Sequence, residues 1–249
     1  MKELLLIGIG PGDPRQVTFE AVDALRRASV FFVLDKGAGK DELVRLRKAI
    51  LEHYRPEGGY RLVQVADPQR DAQAPDYLGA VHDWHRQRAA LYARLIDEEM
   101  GREDIGAFLL WGEPGLYDST LRILDLVRER GLALQLHVIP GISSVQALAA
   151  RHQIPLNRIG EPLVVLPGRR LAEQGQVDNV VVMLDGQGAF AALEDPGLVI
   201  FWGAYLGTVD EVLIAGPLQV VKARILEVRE RERRRKGWIM DTYLLRREL

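Results

Sequence analysis

The sequence predicts an α/β protein built from two α/β domains, and three observations carry that prediction. Short apolar runs alternate with amphipathic helical patterns through the first half. Strand-like runs then crowd together in the second half, with fewer helices between them. Loops rich in glycine and proline close several of the strand-like runs. Alternating strands and helices argue for parallel βαβ units, with helices covering both faces of the sheet. Crowded strands argue for a mixed sheet.

The elements follow in order. Leu4–Ile9 reads as a buried strand, and Val17–Ala28 as a helix with Val17, Ala21, Val22, Leu25 and Ala28 on one face. Val30–Leu34 is a second strand, followed by a helix over Asp41–His53 and a short strand at Arg61–Val65. A polar loop, ADPQRDAQAP, leads to a long helix over Tyr77–Met100 and a strand at Ala107–Trp111. A helix over Asp118–Arg130 comes next. Strands are expected at Gln135–Ile139, Leu163–Leu166, Val180–Leu184, Leu198–Trp202, Val212–Ala215 and Trp238–Leu245. The change of texture places the domain boundary near Gly112–Asp118, giving domains of 1–114 and 115–249, the first with a mainly parallel sheet.

Composition narrows the function. The 249 residues carry a net charge of −2, so nothing draws the chain as a whole to nucleic acid or to an anionic membrane. There are no cysteines, which excludes disulfides, thiolate metal sites and a cysteine nucleophile. No apolar stretch approaches the roughly 18 residues of a membrane span, and no signal peptide opens the chain. These features predict a soluble cytoplasmic protein without nucleic-acid or membrane partners. His82 and His85 lie three apart on one helical side, but no third ligand stands near them in sequence, so no metal is expected. Glu230–Lys236 alternates charge and reads as a solvated helix end.

The loops carry the functional signal. In Gly8-Ile9-Gly10-Pro11-Gly12-Asp13, a dinucleotide fingerprint would need glycine where Asp13 stands. Pro11 also removes a backbone donor, and Asp13 adds negative charge where a phosphate would sit. A tight turn capped by Asp13 is the plain alternative. Leu34 to Asp41 lacks the first glycine of a P-loop, at Leu34, and its hydroxyl residue, at Asp41, which leaves Lys36 and Lys40 as cations able to meet carboxylates. Trp111-Gly112-Glu113-Pro114-Gly115 ends a strand where open α/β sheets bind ligands. Ser143 and Gln146 form a capping box for the helix that follows Pro140-Gly141-Ile142.

Taken in this order, GIGPGD, WGEPGLYDST, VIPGISSVQALAARHQIPLN and the VVVML run resemble the tetrapyrrole methylases, enzymes that use S-adenosylmethionine (AdoMet) in corrin and sirohaem synthesis. KGAGKDELVRLR, RDAQAPDYLGAVHDWH, FWGAY and GWIMDTYLLRREL narrow the resemblance to members that methylate C-1 of precorrin-5 and release acetate. The resemblance implies a homodimer, with AdoMet held in a cleft between two α/β domains and S-adenosylhomocysteine as product. It assigns the cofactor to Gly10, Pro11, Trp111, Gly112, Glu113, Leu116, Tyr117, Ser143, Ser144, Met183, Leu184, Gly203 and Ala204. The family commonly has Gly-Asp-Pro where this chain has Gly112-Glu113-Pro114. Loss of a two-carbon unit needs an activated water, for which Asp71, His85 and Tyr117 are candidates. Lys36, Lys40 and Arg70 are candidates for the carboxylates of the tetrapyrrole, with Asp67 and Asp71 expected to steady Arg70. A methylase of the same fold acting on a different precorrin, RNA or protein, a nucleotide-dependent oxidoreductase and a non-catalytic AdoMet or tetrapyrrole sensor stay open as alternatives.

Overall fold

The computed structural model describes residues 1–35, 41–71 and 74–247. The chain divides into two compact units, Met1–Ile142 and Ser143–Leu249. Lys36 and Lys40 lie outside the described residues.

In the first unit, β1 (Lys2–Gly8), β2 (Val30–Asp35), β3 (Arg61–Ala66), β4 (Ile105–Leu110) and β5 (Leu134–Ile139) form one sheet in the order β3-β2-β4-β1-β5, with every pairing parallel. The period-2 geometry of a strand splits β1 between two cores. Leu4 and Leu6 pack with α3 (Tyr77–Glu99) and α4 (Thr120–Glu129), whereas Leu5 and Ile7 pack with α1 (Phe19–Arg27) and α2 (Asp41–Tyr54). All four side chains are fully buried, which is why the run reads as continuously apolar. Thr18 starts α1 by accepting from the Ala21 N–H at 3.1 Å.

The second unit has a mixed sheet in the order β6-β7-β10-β8-β9, from β6 (Val164–Pro167), β7 (Val180–Met183), β8 (Leu198–Ala204), β9 (Val212–Pro217) and β10 (Asp241–Arg247). Only β6 and β7 pair in parallel. Two helices, α5 (Ser144–His152) and α6 (Leu218–Lys236), pack on it.

The strand at Gln135–Ile139 was expected in the second half. It instead pairs with β1, from Lys2↔Leu134 to Ile7↔Ile139, so the units part after Ile142 and not at 114/115. Periodicity identifies a strand but is silent on its neighbour. The charged end of α6 is also less solvated than its pattern suggests. Glu232 is buried there, between Arg231 and Arg235.

Candidate functional site

Three loops of the first unit are packed backbone to backbone. Gly10 and Gly112 exchange a pair of hydrogen bonds, at 3.3 and 2.9 Å, and both have positive φ, at 74° and 70°. A Cβ on Gly141 would stand 2.1 Å from the Gly112 carbonyl oxygen, and one on Gly8 would stand 2.6 Å from the Gly141 nitrogen. These glycines are therefore required by loop-to-loop contact. Glu113 completes the arrangement, since Oε1 accepts from the Gly115 N–H at 2.8 Å and Oε2 from the Gly141 N–H at 2.7 Å. Asp13 behaves as the plain turn residue, capping the Arg15 N–H at 2.9 Å and pairing with the Arg15 guanidinium.

The remaining cofactor candidates fall into two groups. Tyr117 and Leu184 hold left-handed backbones, with φ of 54° and 52°, and expose 42% and 59% of their surface. A left-handed non-glycine residue costs about 1–2 kcal/mol, so such a backbone needs a reason. In contrast, Ser143 is buried and its hydroxyl accepts from the Val145 N–H in the expected capping box. The Ser144 hydroxyl accepts from Thr242 at 2.8 Å. Gly203 and Ala204 are buried within β8, where a Cβ on Gly203 would meet Leu206 and Leu148. Pro11 is also buried, while Trp111, Leu116 and Met183 are half-buried.

A cavity of about 140 Å³ opens where β2 and β4 separate. The two strands pair only as far as Phe32↔Phe108, after which β2 continues alongside β3 alone. The Leu109 carbonyl is met instead by Arg47 of α2, whose Nε donates to it at 2.9 Å while Nη1 donates to the Leu43 carbonyl at 2.8 Å. Phe32, Phe108 and Tyr92 stack to form the apolar floor, with centroids 5.2 and 4.7 Å apart. Burial raises the Tyr92 hydroxyl well above its usual pKa. Trp84, Arg88 and the segment Tyr117–Thr120 complete the wall. Crevices at the carboxyl ends of parallel strands are the usual ligand sites of such sheets.

The catalytic candidates are placed apart. Tyr117 lines this cavity, and Asp71 lines a second, shallower one of about 360 Å³ beside Arg70. Trp84 lines both. His85 is 9% exposed and lines neither, and its Nε2 has no hydrogen-bond partner among the described residues. Burial, with Arg88, His82 and Arg122 adding repulsion, lowers its pKa and keeps the ring neutral.

Arg70 is exposed and stacks over Tyr77 at 5.1 Å. Asp67 does not steady it, because that carboxylate is buried in an ion pair with Arg88, 2.8 Å from Nε. Arg88 in turn lies over Trp84 at 4.5 Å. Sequence reasoning passed over Arg47, yet a signal was present. Position 47 shares a helical stripe with the buried Val44, Ile50 and Leu51, and a cation there has no packing rationale. Among the described residues, no group of three or more His, Asp or Glu could hold a metal ion, and no helix is long and apolar enough to cross a membrane.

Comparison with known proteins agrees with this architecture. The family of Tetrapyrrole (Corrin/Porphyrin) Methylases matches residues 3–221. A precorrin-6A synthase [deacetylating] from Sinorhizobium sp is 49% identical over 99% of this chain and 96% of its own length. The crystal structure of a cobalamin synthesis related protein (CobF) from Corynebacterium diphtheriae superposes with a TM-score of 0.86 at 39% identity, covering 99% of both chains. A uroporphyrin-III C-methyltransferase from Thermus thermophilus, solved with S-adenosylhomocysteine, shares the fold at 20% identity and a TM-score of 0.61, over 98% of this chain and 97% of its own.

Proposed function

The chain belongs to the tetrapyrrole methylases, and from that premise we propose that it is an AdoMet-dependent C-methyltransferase of cobalamin synthesis, a precorrin-6A synthase that methylates precorrin-5 at C-1 and releases acetate. The observation that carries this reading is the 49% identity over 99% of the chain with a relative of that activity.

The residues present suit the cofactor. AdoMet carries no phosphate, and the GIGPGD loop is poor in phosphate-binding features, with Pro11 lacking an N–H and Asp13 adding a carboxylate. When bound, AdoMet supplies an electrophilic methyl group on a sulfonium. The protein's part in methyl transfer is to hold donor and acceptor in line at about 3–3.5 Å and to exclude water. Tyr117 and Leu184 are the strongest of the proposed contacts, since strained backbones bearing exposed large side chains are characteristic of ligand walls. Gly10, Pro11, Trp111, Gly112, Glu113, Leu116 and Met183 would shape the wall through backbone and packing. Ser143, Ser144, Gly203 and Ala204 would support it from within their own unit.

Release of acetate adds a hydrolytic step, for which a group must take a proton from water. Tyr117, His85 and Asp71 are proposed for it, with Tyr117 favoured by its place on the crevice at the carboxyl ends of β2 and β4. Arg70 is proposed to meet a substrate carboxylate, as are Lys36 and Lys40. The homodimer is part of the same reading, and sedimentation equilibrium tests it. Turnover with precorrin-5 should yield S-adenosylhomocysteine and acetate in equal amounts. Methyl transfer without acetate would assign the chain to a different step.

A further inference from the structure

Arg47 is a half-buried cation with no carboxylate at ion-pair distance among the described residues. Burial lowers its pKa, and the favourable charge of Asp118 only partly offsets this. Nε and Nη1 are committed to the Leu109 and Leu43 carbonyls, and Nη2 has no hydrogen-bond partner among the described residues. Buried charges in proteins are normally paired, so a guanidinium held in a cavity with one donor edge unused points to an anion from outside the chain.

The wall carries two other charged groups. Arg88 is paired with Asp67, and Asp118 accepts the Thr120 N–H at 2.7 Å at the start of α4. A second donor stands beside Arg47. Ser119 occupies the N-cap position of the ten-residue α4, yet its backbone is helical and its side chain makes no capping bond. Ser119 lines the same cavity, at the positive end of a helix dipole.

We propose that this cavity is a carboxylate-binding subsite, in which Arg47 Nη2 and the Ser119 hydroxyl receive one carboxylate. The inference rests on the proposed function, which supplies two sources of that group: a side arm of the tetrapyrrole, or the acetate that leaves. Arg47 anchors the guanidinium twice to backbone, so its free edge is fixed in place before any ligand arrives. The strand separation that orphans the Leu109 carbonyl is thus also what installs the anion receptor.

The test uses the full chain with uroporphyrin and sodium acetate as separate probes. Uroporphyrin binding is followed by fluorescence. Acetate is followed by its effect on Tm at chloride-matched ionic strength, and S-adenosylhomocysteine affinity is measured alongside. Arg47→Met should weaken one or both carboxylate probes by about ten- to a hundredfold, with S-adenosylhomocysteine affinity unchanged. Ser119→Ala removes no capping bond, so it should fold normally and weaken the same probe by about three- to tenfold. Loss of uroporphyrin binding identifies the tetrapyrrole arm, and loss of the acetate response identifies the leaving group. Retained affinity for both probes in Ser119→Ala and in a folded Arg47→Met would overturn the subsite, as would equal loss of S-adenosylhomocysteine. A wild-type chain that does not bind S-adenosylhomocysteine defeats the functional reading itself, whatever the probes show.

Discussion

In the second unit, the Asp185 carboxylate accepts from the backbone N–H groups of Gln187, Gly188 and Ala189 and from the Tyr243 hydroxyl. Arg229 pairs with Asp241 and donates to the Asp185 carbonyl at 2.7 Å, while the Trp202 indole donates to Asp241 at 2.7 Å. Every charge in that cluster is answered from within. In the first unit, Arg47 is also held by backbone carbonyls, but one edge of its fork is left over and it opens on a cavity. Both arrangements bury cations beside a sheet. The closed one serves stability, and the open one is suited to recognition.

The sharpest way to break this contrast is to cut each cluster once. Arg229→Met leaves Asp241 buried without its partner and should destabilise the protein by about 3–5 kcal/mol in urea unfolding. Asp67→Asn strands the buried Arg88 and should cost about as much, again read from urea unfolding. Arg47→Met strands neutral carbonyls only, so its stability loss should be smaller, about 1–3 kcal/mol. Equal losses at Arg229 and Arg47 would mean that Arg47 is part of a closed network after all.

The loops offer a middle-sized test. With φ of Gly112 at 70° and both its backbone polar groups bonded to Gly10, Gly112→Val should destabilise the first unit by about 1–2 kcal/mol, measured by thermal unfolding. Glu113→Gln should cost about 1–3 kcal/mol, because a carboxamide offers one acceptor where the two N–H groups of Gly115 and Gly141 need two.

The smallest effect concerns pH. Burial depresses the pKa of His85, so the unfolded chain takes up its proton first as pH falls below the ordinary value of about 6.5. The stability His85 contributes is complete above that value and is lost as pH drops toward the folded pKa. His152 in the second unit shifts the same way, mainly by burial, but its Nε2 contacts the Trp202 carbonyl at 3.1 Å, which offsets part of the penalty. His85→Gln and His152→Gln should therefore each flatten the Tm profile below about pH 6.5.

Much of this was legible in the chain because it is local. The strands of the first sheet, the Ser143–Gln146 box and the turn at Asp13 depend on residues a few positions apart. Family motifs, which are ordered strings of loops, were legible for the same reason. What escaped depends on long-range pairing. Which sheet claims β5 is decided by hydrogen bonds to residues more than a hundred positions away. That Asp67 serves Arg88 and not Arg70 is decided by the docking of α3 against the end of β3. Glu113 stood in sequence only as a departure from the family's aspartate, since its second partner, Gly141, belongs to another loop.

That carboxylate also has a consequence in time. The amides of Gly115 and Gly141 share one acceptor group, so the loop that carries Glu113 cannot open without releasing the Gly141 amide. Two segments far apart in the chain become a single kinetic unit. In deuterium exchange their amides should brighten together, at one common opening rate, and Glu113→Gln should separate them into two.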